Sequence, residues 1–135
     1  MTTAPVWHHE GNNIVSASPA HIQHAVQHVE ALQAAGETNI NAALGKALTI
    51  LAHVKARGVL ARSVQPLVFF LTDGHPTVGE TDTVRILGNV RRANRAVRAP
   101  VFSLAFGRKT DFQVGRWTAS GVNNSTAIFS SGATL

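Results

Sequence analysis

Apolar positions along this chain follow helical spacing in three stretches and form unbroken runs in two others. Ser18-Pro19 reads as an N-cap followed by Pro at the first helical position. Ile22, Val26, Val29 and Leu32 then recur at helical spacing up to Gly36, so the spacing predicts a helix over roughly 19–35. A second helix is predicted from the Thr38-Asn39-Ile40-Asn41 segment through Leu44, Leu48, Leu51 and Val54 to Gly58, capped by Asn39 or Asn41. Leu67-Val68-Phe69-Phe70-Leu71 is continuous rather than alternating, which predicts a strand of a parallel sheet buried on both faces. Thr81 or Asp82 caps a third helix, roughly 83–97, with Ile86, Leu87, Val90, Ala93 and Val97 inward. Pro100 ends it ahead of a second strand, Val101 to Phe106, which completes a βαβ unit with an expected right-handed crossover. Beyond Phe112 no period survives, and residues 113–135 read as a disordered polar tail. That tail holds overlapping glycosylation sequons at Asn123 and Asn124, which matter only if the chain is exported.

Composition narrows the class. At 135 residues the chain suits one domain. It is 44% hydrophobic and 14% charged, against roughly 25% charged in an average globular protein, which argues against wholesale disorder. No apolar run approaches the roughly 20 residues of a bilayer span. The opening MTTAPVWHHEGNN lacks the basic start and apolar centre of a signal peptide, so a cytoplasmic location is expected if Met1 is the true start. The absence of cysteine excludes a disulfide framework, a thiolate nucleophile and a zinc ribbon. Charge is split: residues 1–45 carry three acids and no Lys or Arg, whereas residues 46–135 carry all twelve bases and four acids. A basic half raises a polyanion hypothesis. No aromatic platform or recognition motif accompanies the bases, so neither a nucleic-acid nor a membrane partner is expected.

Candidate chemistry centres on Asp73, which follows the first apolar run, where an open α/β sheet presents its ligand-binding crevice. Phosphoryl-transfer hydrolases place a nucleophilic Asp in such a position, which makes Asp73 a nucleophile the alternative reading. The second acid expected two residues on is here His75, followed by Pro76, and no Ser/His/Asp set or glycine-rich phosphate loop occurs, so the chain is not expected to be an enzyme. His21, His24 and His28 fall within about 60° on the first helix, away from its apolar stripe, and read as a solvated face rather than a metal site. Arg85, Arg91, Arg92, Arg95 and Arg98 form the polar side of the third helix. Arg85, Arg92 and Arg95 are the candidates for weak, salt-dependent adhesion to sulfated or carboxylated polysaccharide.

Four blocks carry a resemblance: Ala34 to Leu44, Phe69 to Asp82, Ile86 to Arg91 and Pro100 to Gly107. In this order they resemble the von Willebrand factor A domain of the inter-alpha-trypsin inhibitor heavy chains, over roughly residues 6–112. The resemblance implies a Rossmann-like α/β domain, a parallel sheet with flanking helices, in residues 1–112. It implies a metal-ion-dependent adhesion site for Mg2+ or Mn2+, with Thr38 as the second-loop hydroxyl and Asp73 as the third-loop carboxylate. Magnesium takes about six oxygens in octahedral array. The family's first loop, Asp-x-Ser-x-Ser, occurs nowhere in the sequence, so the site is expected to be incomplete and to bind no metal in this chain alone. The first strands are expected to be missing with it, as in a fragment or a non-functional truncated product, which leaves a strand edge open to self-association. By the same resemblance the chain is a non-catalytic extracellular interaction domain. Its implied partners are an acidic side chain of a protein ligand, hyaluronan and a Kunitz-type inhibitor chain.

Overall fold

A computed structural model describes residues 14–33, 36–61, 63–72 and 75–105, with Ala105 described by its backbone alone. The chain divides into two compact units, Met1–Glu37 and Thr38–Leu135. The predicted tail, the Asn123 and Asn124 sequons, Phe106 and Asp73 lie outside the described residues.

In the first unit, Ser18 begins α1 (Pro19–Glu30), its hydroxyl accepting from the His21 amide at 3.2 Å. The helix stops well short of Gly36, because the amides of Ala31 and Leu32 turn back onto Gln27 and Val29 and close the last turn. The apolar stripe of α1 stays open: Ile22, Val26 and Val29 are 53%, 49% and 64% exposed, and α1 buries no residue. Helical spacing records which side can be buried; burial itself needs a partner surface. The three histidines do not converge, for no three metal-ligating side chains lie together among the described residues.

The second unit runs α2 (Ile40–Ala56), β1 (Val68–Thr72), α3 (Thr83–Asn94) and β2 (Val101–Ala105). Each boundary has a local cause. Asn39 Oδ1 accepts from the Ala42 amide at 2.9 Å, Asp82 Oδ1 accepts from the Arg85 amide at 2.8 Å, and Gly58 leaves α2 with φ +67°. β1 and β2 pair in parallel, Val68 opposite Val101 and Phe70 opposite Ser103. Ile40, Leu44 and Leu48 from α2 and Ile86 and Val90 from α3 meet Val68 and Val101 in one core, so both helices cover the same face of the sheet.

Among the described residues nothing covers the opposite face, contrary to the expectation of a strand buried on both sides. Phe69 and Leu71 are each 61% exposed, and Phe69 stacks on Phe102 with ring centroids 5.2 Å apart. Continuous apolarity fits a strand for two covering layers, and the described residues supply one. On the covered face, Ser103 is buried and its hydroxyl finds no hydrogen-bond partner among the described residues.

A polar clasp closes the turn between α3 and β2. Asn94, buried, accepts from the Ala99 amide at 2.9 Å and donates to the Ala99 carbonyl at 2.8 Å, matching a backbone pair with one side chain. Arg98 takes φ +58° to make this turn, and Lys55 at the end of α2 donates to the carbonyls of Ala96 and Val97 at 2.9 and 3.2 Å.

Candidate functional site

In a parallel α/β sheet the carboxyl ends of the strands gather the loops that recognise ligands. Here the loop before α2 and the loop after β1 are laced together. The Thr38 amide donates to Thr77 Oγ1 at 2.8 Å, and the Thr38 carbonyl accepts from the amides of Thr77 and Val78 at 2.8 and 3.3 Å. Thr38 is half-buried, and its hydroxyl takes no part in the bonds that join the two loops among the described residues. Asp73, the other candidate, is outside the described residues, and the joining of the two loops is seen through Thr38 and residues 77–78 alone.

Sequence reasoning did not single out Thr77, Asn39 against Gly79, or the fit between them. Gly79 has φ +72°, and a Cβ on it would lie 2.6 Å from Asn39 Nδ2 and 2.9 Å from Asn39 Oδ1, the atom that caps α2. The glycine thus lets the second loop run over the first without displacing the cap. The only signal in the sequence is a glycine after Thr77-Val78, which marks a turn and says nothing of what the turn approaches. Gly79→Ala is expected to destabilise the chain by about 1–3 kcal/mol through positive-φ strain and loss of the cap. Asn39→Gly in that background should restore part of the loss in a urea titration. A Gly79→Ala variant as stable as the parent would show that the two loops are not held in register.

Thr38 brings one neutral hydroxyl and Thr77 Oγ1 is engaged by an amide, while Asp73, the carboxylate candidate, lies outside the described residues. Magnesium takes about six oxygens held near 2.1 Å, of which the described residues among the candidates supply the Thr38 hydroxyl.

The arginine candidates are exposed, and two of them have separate partners. Arg85 lies 3.8 Å from the Glu80 carboxylate, Arg92 donates to Asn89 Oδ1, and Arg95 is the exposed C-cap of α3. Arg91 and Arg98 are likewise exposed. No helix among the described residues is long and apolar enough to cross a membrane.

The profile of the von Willebrand factor type A domain matches residues 12–132. The chain is 39% identical over 100 residues to the inter-alpha-trypsin inhibitor heavy chain H1 of Mesocricetus auratus, a match covering 74% of this chain and 11% of the relative. It is 38% identical over 116 residues to heavy chain H6 of Homo sapiens, covering 84% of this chain and 9% of the relative. Heavy chain H2 of Sus scrofa is 36% identical over 101 residues, covering 75% of this chain. These matches span about a tenth of each relative's length. The parallel β1/β2 pair, the two helices on its covered face and the paired loops at its carboxyl end are parts of that Rossmann-like α/β fold. This chain belongs to the von Willebrand factor type A domain family.

Proposed function

We propose that this chain is a non-catalytic interaction module of an extracellular protein, akin to the inter-alpha-trypsin inhibitor heavy chains. Its recognition end is the loop pair at the carboxyl edge of the sheet. The observation that carries the reading is the lacing of Thr38 to Thr77 and Val78, which builds a preformed ledge from two loops with the Thr38 hydroxyl on it. A surface of this kind recognises and positions a partner. The partners are an acidic side chain of a protein ligand, and, in the whole protein, a Kunitz-type inhibitor chain and hyaluronan. Magnesium or manganese belongs to the intact family domain, in which a first loop would join Thr38 and Asp73; the present sequence has no Asp-x-Ser-x-Ser to form it.

Calorimetric titration tests the metal part: no one-to-one magnesium isotherm is expected at millimolar ion, and Asp73→Ala should change nothing. An isotherm abolished by Asp73→Ala would show that the first loop is dispensable. The interaction part is tested with the whole protein on immobilised Kunitz-type inhibitor and on hyaluronan, where retention on at least one is expected with and without chelator. Retention on neither overturns it, and turnover of p-nitrophenyl phosphate that vanishes in Asp73→Asn would make the chain a hydrolase instead.

A further inference from the structure

Among the described residues two apolar surfaces stay open, and they are of complementary kinds. One is the stripe of α1, where Ile22, Val26 and Val29 follow one another along a single side of the helix. The other is the open face of the sheet, where Phe69 lies opposite Phe102 and Leu71 opposite Leu104, large apolar side chains in two rows. Neither surface carries a charge. The stripe runs about 10 Å from Ile22 to Val29, at helical rise, and the face runs about 7 Å from Phe69 to Leu71 and is two strands wide, so one helix laid across the pair covers it. A helix stripe and a sheet face are the surfaces that α/β folds bury against each other.

We infer that the open face of β1 and β2 receives α1 of a second copy of this chain, in a reciprocal exchange that closes at two chains. Charge favours α1 over the rest of the second copy as the occupant. Met1–Glu37 holds three acids and no Lys or Arg, whereas Thr38–Leu135 holds all twelve bases and four acids. Exchange of α1 sets the acidic unit of one chain against the basic unit of the other, while stacking sheet on sheet would set two basic units together. Symmetry supplies the closure: each copy offers one stripe and one face, so a two-fold pair covers both on each chain and leaves nothing open for a third. The contact differs from pairing along the β1 edge, which joins backbone groups and leaves Phe69 and Leu71 in water. It uses no residue of the loop pair, so it is independent of the function proposed for that site.

The chain has no cysteine, so any thiol placed in it is unique. The test mixes full-length copies carrying Val26→Cys with copies carrying Leu71→Cys and oxidises them with glutathione disulfide. A disulfide forms only where the two Cβ atoms come within about 4 Å, so the mixed dimer is expected to exceed both like dimers. Predominance of the Leu71→Cys like dimer would overturn the proposal in favour of contact between sheets, and so would the absence of any linked dimer. The double variant Val26→Cys/Leu71→Cys is expected to run as a dimer linked twice; an internally linked monomer at low concentration would show instead that each chain's own helix covers its face. In sedimentation, Val26→Glu should weaken the dimer at least tenfold although it adds to the charge complementarity, and Gln27→Glu, on the other side of α1, should leave it unchanged. Equal effects of the two would overturn the exchange. Both positions are exposed, so each variant should keep the parent's thermal transition.

Discussion

Asn94→Ala is expected to cost about 2–4 kcal/mol, a large share of the stability of a small domain. The reason is the number of groups stranded. Asn94 is 6% exposed and satisfies both the amide and the carbonyl of Ala99, next to a residue at positive φ. Alanine would leave both backbone groups buried and unpaired, at about 1–3 kcal/mol for each such group, partly relieved by entering water. Asn94→Asp separates the two bonds. It keeps the acceptor for the Ala99 amide and regains a donor only when protonated. Burial raises the folded-state pKa of such a carboxyl above its unfolded value, so its stabilising contribution is full below the unfolded value and is lost as pH rises through the folded one. This variant should therefore be more stable near about pH 4 than about pH 7, relative to Asn94→Ala. Urea midpoints with unchanged slope would read the effect. A loss below about 0.5 kcal/mol in Asn94→Ala would show that the turn closes without the clasp.

Leu48→Ala and Leu71→Lys should act in opposite ways although both remove a leucine. Leu48 is fully buried in the α2 face of the core, and its truncation removes transfer energy and leaves a cavity, together about 2–5 kcal/mol. A small domain loses most of its folded population at the upper end of that range. Leu71 stands 61% exposed on the open face of β1, so Leu71→Lys should change stability by no more than about 0.5 kcal/mol. Its effect should appear in association instead. The β1 run from Val68 to Thr72 carries no charge and no proline, its partner β2 occupies one edge, no strand among the described residues takes the other, and an edge without such guards pairs with a second copy. The parent chain is thus expected to self-associate in light scattering as concentration rises, and Leu71→Lys to suppress it. A monomeric parent with one cooperative thermal transition would count against this, as would a Leu71→Lys variant that unfolds.

The elements themselves were legible in the sequence because their causes are local. Asn39, Asp82 and Ser18 cap within three residues of where they act, Gly58 closes α2, and the apolar spacing of α2 and α3 points at Leu44, Leu48, Ile86 and Val90, all buried, whereas α3 ends at Asn94, short of the 83–97 expected from Pro100. The family resemblance rested on four ordered blocks and reached Thr38 through its neighbours rather than through any property of a lone threonine. How the site is joined was not legible. Thr38 meets Thr77 across 39 positions, Asn41 meets Asn89 across 48, and Gly79 matters only because Asn39 lies over it. Nothing at either position marks its counterpart, since a hydroxyl or a carboxamide bonds equally well to water.

Burial divides along the same line. By itself the sequence determined which sides of α1, α2, α3 and β1 are apolar, because side-chain direction follows from helix and strand geometry. Only the tertiary structure decided which of those sides are covered: Val68 and Val101 lie under α2 and α3, whereas Phe69, Leu71 and the Ile22–Val26–Val29 stripe stay exposed. An apolar side chain encodes a tendency to leave water, and the surface that removes it from water is made by residues distant in the chain.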